Sequence, residues 1–207
     1  MEAGHVEIFW LWRMRKPVTG VSVDNKCLDP RRVAPDGQFR RPRLYLVGEA
    51  PGADEAARGR PFVGPAGRAL REMLEQAGID PKQVRLANAI PFRPIALSKG
   101  RKPRNRSPTT EEVGRYGAAV LADIRRSRPG VIIALGGTAA RLFGEQRAIH
   151  SARKTRLQFE SYPVRVTFHP AYARRFGGPN GDAWRQAVAD LHLAWNESEV
   201  RPDSSGA

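Results

Sequence analysis

Four short apolar runs, bounded by charged residues, glycine or proline, predict β-strands along the chain. They are Arg43–Glu49, Val84–Ile90, Gly130–Gly136 and Val164–Pro170. Every residue between the two glycines of the third run, GVIIALG, is apolar. This pattern is typical of a strand that helices cover on both faces.

Segments with a helical period separate and follow these strands. In residues 66–78 the apolar side chains recur three and four positions apart, as expected of one buried helix face. A Ser/Thr cap followed by acidic residues predicts the start of the next helix. The four predicted helical segments are 66–78, 107–130, 136–145 and 182–197. Alternating strands and helices predict an α/β fold: a three-layer αβα sandwich with a central four-stranded parallel sheet.

The predicted domain is residues 43–196, with a segment at each side of it. Residues 1–42 are expected to pack on the domain and to be partly irregular, and 197–207 to form a flexible tail. An apolar cluster at Ile8, Phe9, Trp10 and Trp12 predicts an N-terminal helix; it is too short to span a bilayer. The proline- and arginine-containing stretch Asp29–Pro42 is predicted to be mobile.

Charge is the strongest global signal. The chain has 35 Lys and Arg against 21 Asp and Glu, a formal net charge of +14. Such an excess attracts polyanions, of which nucleic acid is the commonest, although a generally basic soluble protein is the alternative. The single cysteine, Cys27, excludes a disulfide within the chain and argues against a cysteine-ligated metal. This cysteine usage predicts a cytoplasmic protein.

Polar side chains stand at the carboxyl ends of the predicted strands, where parallel sheets bind ligands. Glu49, Asn88 and His169 lie there. An Asn amide can read the edge of a nucleobase, although a lone Asn there is more often part of a turn. A His can donate to a carbonyl oxygen and stabilise negative charge.

The connection VGEAPGADEAARGRPFVGPAG, residues 47–67, is longer than strand-to-helix packing requires. It lacks the GxGxxG and GxxxxGK[ST] phosphate-binding patterns, and its acidic residues favour an uncharged ring over a phosphate. Phe62, which lies between proline and glycine positions, could stack on a base, although a lone Phe is more often core. Together, Phe62, Asn88 and His169 predict one pocket that stacks an aromatic ring, reads its edge and supports a leaving anion.

The motifs GEAPGADE, GRPFVGPAGR, RSPTTEEV, VIIALGGTAA and HPAY occur in the order and spacing of one known family. In these motifs the chain resembles the uracil-DNA glycosylase superfamily, most of all its family 4 branch, from about Arg43 to Trp195. The resemblance implies DNA repair by hydrolysis of the N-glycosidic bond of uracil in DNA, which leaves an abasic site. No lysine matches a Schiff-base nucleophile, so strand cleavage is not expected.

The resemblance also assigns roles to residues. Phe62 would stack on the flipped uracil, Asn88 would read its edge, and His169 would stabilise the uracil anion. Glu55 matches a position near C5 that disfavours the thymine methyl group. The implied catalytic residues are Glu49 and His169, and the implied substrate-binding residues are Gly48, Ala50, Pro51, Gly52, Glu55, Phe62 and Asn88. The expected DNA contacts are Lys99, Arg101, Lys102, Arg104, Asn105, Arg106, Pro170, Ala171, Tyr172, Arg174 and Arg175.

The chain departs from the family 4 pattern at its cysteines. Phe92 and Tyr116 stand where two cysteines of a four-cysteine iron–sulfur cluster would fall. We therefore expect no cofactor and no metal, with aromatic packing of Phe92 and Tyr116, together with Trp10 or Trp12, in place of the cluster.

Two further departures concern mechanism. In its length, the basic loop Ile95–Ser107 resembles the loop of a related class, which becomes covalently trapped on the abasic sugar through a loop histidine. Here Asn105 falls near the position of that histidine. Ordinary turnover is therefore expected. Ala50 replaces a water-orienting Asp, which makes Glu49 the candidate for that role.

The expected partner is uracil-containing DNA, single- or double-stranded, with no membrane, for a monomer near the nucleoid. The alternatives are wider specificity for hypoxanthine or xanthine, and a non-catalytic or covalently trapping DNA-binding protein.

Overall fold

The computed structural model describes residues 26–98 and 100–199, which fold as alternating strands and helices. The strands are β1 (Lys26–Arg32), β2 (Asp36–Gly37), β3 (Leu44–Gly48), β4 (Val84–Asn88), β5 (Phe92–Ser98), β6 (Arg101–Asn105), β7 (Val131–Leu135), β8 (Leu157–Phe159) and β9 (Tyr162–Thr167). The α-helices are α1 (Ala53–Arg58), α2 (Pro65–Gln76), α3 (Thr110–Tyr116), α4 (Ala118–Ser127), α5 (Gly137–Leu142), α6 (Ile149–Ala152), α7 (Pro170–Arg175) and α8 (Asp182–Glu199).

The main sheet has the strand order β2-β4-β3-β7-β9-β8. Its four middle strands are parallel, which confirms the predicted parallel core. The predicted total of four strands is wrong, because the short strands β2 and β8 add antiparallel edges. Two or three residues are too few to show a period of two in the sequence, so these edge strands escaped prediction.

Helices cover both faces of this sheet, as the apolar central strands require. Along β3, Leu44 and Leu46 face a core formed with α2 and α8, whereas Tyr45 and Val47 face one formed with α4, α5 and α6. The alternation of side chains along one strand therefore builds both cores, and the predicted three-layer αβα sandwich is confirmed.

Two stretches predicted to be irregular are ordered strands. Within Asp29–Pro42, β1 pairs antiparallel with β5 and β2 pairs with β4, so part of the stretch predicted to be mobile is paired as strands. The basic stretch Ile95–Ser107 is likewise a β5–β6 hairpin that turns at Gly100, whose φ is +71°. Its strand β6 is exposed throughout and has no apolar face. An apolar face is the signal by which a strand is predicted from sequence, so this strand was missed.

Segment 107–130 forms two helices rather than one. Thr109 caps α3 as predicted, since its Oγ1 accepts from the N–H of Glu112 at 3.1 Å. The chain bends at Gly117, where a methyl group would lie 2.5 Å from Leu142 Cδ1 and 2.6 Å from the Val113 carbonyl oxygen. The Leu142 side chain could move aside, but the backbone carbonyl of Val113 could not do so as easily, so glycine is favoured at this position.

Some predictions lie outside the described residues. They concern the N-terminal helix with Trp10 and Trp12, the DNA contact at Lys99 and the tail beyond residue 199. Helix α8 continues to Glu199 and so includes the first three residues of the expected tail. Among the described residues, no helix combines the length and apolar character needed to cross a bilayer.

Candidate active site

The predicted polar residues meet at the carboxyl edge of the sheet. Strands β3 and β4 are in register there, with Gly48 beside Asn88, and His169 follows the end of β9. A cavity of about 340 Å³ opens at this edge, a size within the range of small-molecule sites. It is lined by Ala50, Gly52, Ala53, Asp54, Glu55, Phe62, Pro65, Ala66, Asn88, Asn105, His169, Ala171 and Arg174. Phe62, Asn88 and His169 therefore share one cavity.

Gly48 lets two of these side chains lie against the end of β3. A methyl group at position 48 would lie 2.6 Å from Asn88 Oδ1 and 2.6 Å from Phe62 Cζ. Contacts this short cannot be accommodated unless both side chains move. The predicted substrate-binding residue Gly48 thus supports the cavity from behind, without lining it.

We predict that Gly48→Ala reduces uracil excision about tenfold or more, because it displaces both Asn88 and Phe62 from a site that tolerates little misplacement. A gel assay of base excision under single-turnover conditions measures the effect. Gly114→Ala is the matched control, since a methyl group on this exposed helical glycine meets nothing within 4 Å. Gly48→Ala at the wild-type rate would contradict the contact.

Phe62 adopts a strained backbone conformation at the cavity. Its φ is +54°, a left-handed value that costs a bulky residue on the order of 1 to 3 kcal/mol. Arg71 Nη1 donates to its carbonyl oxygen at 3.1 Å, and the backbone of Gly67 packs directly against that carbonyl. The ring is 5% exposed and lies 6.5 Å from the His169 ring between centroids. The fold thus holds the Phe62 side chain at the cavity.

Glu55 fixes the two glycine turns of the long connection. Its Oε2 accepts from the N–H of Gly52 at 3.0 Å, and its Oε1 accepts from the N–H of Gly64 at 2.7 Å. The buried carboxylate also lines the cavity. The Gly52 N–H, expected to hold substrate or water, is therefore already paired with Glu55.

The local fold sets the proton position on His169. The Ala171 N–H at the start of α7 donates to His169 Nδ1 at 3.1 Å, so the neutral ring carries its hydrogen on Nε2. Burial lowers the pKa of His169 below its ordinary value, and the nearby Glu49 carboxylate opposes this shift. A neutral imidazole with an Nε2–H donor results. Gly136, at φ +88°, permits the close approach, because a methyl group there would lie 3.0 Å from His169 Cβ.

Glu49 lies behind the cavity rather than on its lining. Its Oε2 accepts a hydrogen bond from Thr138 Oγ1 at 2.9 Å. Pro51 also lies outside the lining residues. Sequence reasoning missed Thr138, although a hydroxyl residue just beyond the end of β7 is a signal that could have identified it.

The hairpin residues expected at DNA divide into three groups. Arg101, Lys102 and Arg104 are exposed along β6. Asn105 reaches the cavity, where its Oδ1 accepts from Arg93 Nε at 2.6 Å. Arg106 is paired within the protein: its guanidinium lies 2.6 Å from Glu112 and is largely buried, because this pair joins the hairpin to α3. Its expected contact with DNA stays a prediction.

Helix α7 presents part of the HPAY segment to solvent. Pro170 is buried as the first residue of the helix, and its expected entry into a duplex stays a prediction. Ala171 and Arg174 line the cavity, and Arg175 is exposed. The Tyr172 ring is 44% exposed and packs between Phe168, at 5.6 Å between centroids, and Phe176, at 4.6 Å.

The residues present do not fit a four-cysteine iron–sulfur cluster. The whole sequence contains one cysteine, so four thiolate donors are lacking. Phe92 and Tyr116 instead make an edge-to-face contact, 5.2 Å between ring centroids, within a small core that includes Leu28 and Val113. Aromatic packing of the kind expected from the sequence therefore occupies this region.

Comparison with known proteins agrees with this geometry. The chain is 40% identical to the Type-4 uracil-DNA glycosylase of Thermotoga maritima over 64% of its own length and 67% of that protein. It is 34% identical to the Type-4 uracil-DNA glycosylase of Archaeoglobus fulgidus over 62% of its length and 65% of that protein. The matched segments thus span about two thirds of these relatives.

The fold has a counterpart among solved structures. The crystal structure of wild-type SMUG2 from Pedobacter heparinus superposes with a TM-score of 0.55 at 12% identity, covering 78% of this chain and 77% of that one. The family model described as the Uracil DNA glycosylase superfamily matches residues 34–192. The chain, matched over most of its length, belongs to the uracil DNA glycosylase superfamily.

Proposed function

We propose that this chain is a monofunctional DNA glycosylase that hydrolyses the N-glycosidic bond of deoxyuridine in DNA and leaves an abasic site. The observation that carries the proposal is the cavity of about 340 Å³ that Phe62, Asn88 and His169 share. Membership of the superfamily, and relatives named as uracil-DNA glycosylases, support the same substrate.

Binding requires the target nucleotide to leave the helix. Flipping costs a few kcal/mol, and stacking on an aromatic ring returns roughly 1 to 3 kcal/mol. Phe62 supplies that ring, held in place by the strained backbone described above. The Asn88 amide supplies a donor for uracil O4 and an acceptor for N3–H, a pairing that cytosine cannot match because both of its corresponding groups are reversed.

In the chemical step the C1′–N1 bond breaks and its electron pair leaves with uracil. The developing anion is stabilised where His169 Nε2–H donates to uracil O2, and a positioned donor of this kind is worth roughly 3 to 4 kcal/mol. Water adds to the cationic C1′, and its proton is released. Glu49 is the carboxylate behind the cavity that stabilises the sugar cation and polarises this water.

The DNA path runs from the cavity across hairpin β5–β6 and helix α7. Asn105 and Arg174 line the cavity itself, and the exposed cations of β6 continue from Asn105 along the same hairpin. Tyr172 offers a partly exposed ring on α7, next in sequence to Ala171, which lines the cavity. With a net charge of +14, this surface suits a polyanion.

We predict that replacing Arg101, Lys102 and Arg104 with Gln weakens DNA binding and makes it less sensitive to salt. Each lost phosphate contact lowers the slope of log K against log salt by about 1. Arg125→Gln is the control: Arg125 is also exposed and is paired with Glu160, but it lies on α4, whose C-terminal end is at the opposite edge of the sheet. An unchanged salt slope in the triple variant would mean that DNA phosphates do not contact these three side chains.

The function itself is tested on oligonucleotides that carry one uracil, one hypoxanthine or one thymine–guanine mismatch, in single and double strands. Alkaline cleavage after incubation reveals abasic sites, and the proposal expects them at uracil. Cleavage without alkali would contradict a monofunctional enzyme, and an SDS-stable protein–DNA adduct would contradict turnover. Binding of uracil DNA without base release would leave a non-catalytic protein.

A further inference from the structure

Three side chains form a hydrogen-bonded chain behind the cavity. Thr138 Oγ1 donates to Glu49 Oε2 at 2.9 Å, and Arg141 Nη2 lies 3.1 Å from the same hydroxyl oxygen. Thr138 is 4% exposed, whereas Arg141 reaches solvent. A buried hydroxyl thus stands between an ionised carboxylate and a cation.

The direction of the two hydrogen bonds follows from which of these side chains can donate and which can accept. A guanidinium can only donate, so Arg141 uses a lone pair of the Thr138 oxygen. The hydroxyl hydrogen is then left for Glu49, whose carboxylate can only accept when ionised. Each bond therefore polarises the next in one direction, from Arg141 through Thr138 to Glu49.

The fold brings these residues together through adjacent strands. Glu49 follows β3, and Thr138 and Arg141 lie one turn apart on α5, which follows the neighbouring parallel strand β7. Among residues 26–98 and 100–199, Glu49 Oε1 accepts no hydrogen bond from the protein. One carboxylate oxygen is thus anchored and the other is left for a ligand.

We propose that Thr138, oriented by Arg141, is a positioning residue that fixes Glu49 for the hydrolytic step. This inference rests on the proposed glycosylase function. Holding Oε2 immobilises the carboxylate beside His169, so that Oε1 can accept from the attacking water or face the positive charge at C1′. Neither Thr138 nor Arg141 touches the base, so their effect falls on the rate of the chemical step and not on DNA affinity.

The test compares two substitutions of Thr138 in the full chain with uracil DNA. Thr138→Val keeps the shape but removes the donor, and we expect the single-turnover rate to fall about tenfold to a hundredfold, the range for a lost hydrogen bond to a charged group. Thr138→Ser restores the hydroxyl and is expected to recover most of the rate. The affinity for uracil DNA stays unchanged in both variants. Thr155→Val, which removes a hydroxyl bonded to the Glu145 carboxylate, is the matched control with the wild-type rate.

A double-mutant cycle with Glu49→Gln gives a second readout. If Thr138 acts through Glu49, Thr138→Val adds little to the loss already caused by Glu49→Gln. Additive losses, a Ser variant as slow as the Val variant, or a loss confined to DNA affinity would each overturn the proposal. A wild-type protein that releases no uracil would instead refute the proposed function.

Arg141→Ala keeps the proposal testable if Thr138→Val does not fold, because Arg141 is exposed. We expect it to slow the chemical step about threefold or more, with unchanged DNA affinity and salt slope. A smaller salt slope with an unchanged chemical rate would identify Arg141 as a phosphate contact and would overturn the proposal.

Discussion

His169→Asn is expected to lower the single-turnover rate of uracil excision on the order of a hundredfold to a thousandfold. Asn can still cap α7, because its side-chain oxygen can accept from the Ala171 N–H as His169 Nδ1 does. Its shorter side chain cannot place a donor where Nε2–H lies. The variant therefore removes the stabilisation of the leaving anion, worth 100- to 1,000-fold when one such donor is lost, and keeps the helix start.

The pH profile gives an independent check on the same residue. Burial lowers the pKa of His169 below its ordinary value of 6.5, so the neutral ring predominates at pH 7. The activity that depends on neutral His169 is thus complete above pH 6.5 and is lost as the pH falls through the lowered pKa. Protonation would also put a hydrogen on Nδ1, opposite the Ala171 N–H donor.

Rate measurements from about pH 5 to pH 8 on wild type and His169→Asn test this. The acid limb should lie below pH 6.5 in the wild type and disappear in the variant. His192→Ala is the histidine control, since His192 lies on α8 and hydrogen-bonds the Ala77 carbonyl, away from the cavity. If His169→Asn kept more than a tenth of the wild-type rate, His169 would have no major role in the chemical step.

Asn88→Asp is expected to lower uracil excision about a hundredfold or more. The substitution keeps the shape of the side chain but replaces its NH₂ donor with an acceptor, which leaves uracil O4 opposite an oxygen. A site built to hydrogen-bond one edge discriminates strongly when that pairing is lost, because polar groups are left buried and unpaired. Because Gly48 has no side chain, the Asn88 amide can lie directly against the end of β3, as the reading of the base requires.

Affinity for two DNAs separates base reading from a general defect. Asn88→Asp should bind uracil DNA more weakly than wild type does, but abasic-site DNA equally well, since that DNA has no base to read. Asn180→Asp, at an exposed turn before α8, is the matched control and should match the wild type on both. Equal losses on the two DNAs would mean that Asn88 does not read the base.

The sequence predicted the parts of the fold that rest on long apolar patterns. The runs at β3, β4, β7 and β9 are buried in the sheet, so their hydrophobic signal is strong. Strands β1, β2 and β6 have no such signal, because backbone pairing rather than an apolar face places them. Pairing partners distant in sequence cannot be identified from the local pattern.

The candidate site shows the same division. Strand ends and the glycine-rich connection predicted that Phe62, Asn88 and His169 would lie close together, and the cavity brings them to one place. The pairing of Glu55 with two backbone N–H groups, and of Arg106 with Glu112, depends on side-chain directions that the sequence does not specify. Thr138 was missed for the same reason, since its role depends on contact with a residue 89 positions away.

The central claim is that one everted uracil occupies the cavity between Phe62, Asn88 and His169. A crystal structure of the slow His169→Asn variant bound to uracil DNA measures this directly. The account predicts the uracil ring stacked on Phe62, its O4 and N3 edge against the Asn88 amide, and its O2 towards position 169. A uracil still paired within the duplex, or bound outside this cavity, would contradict it.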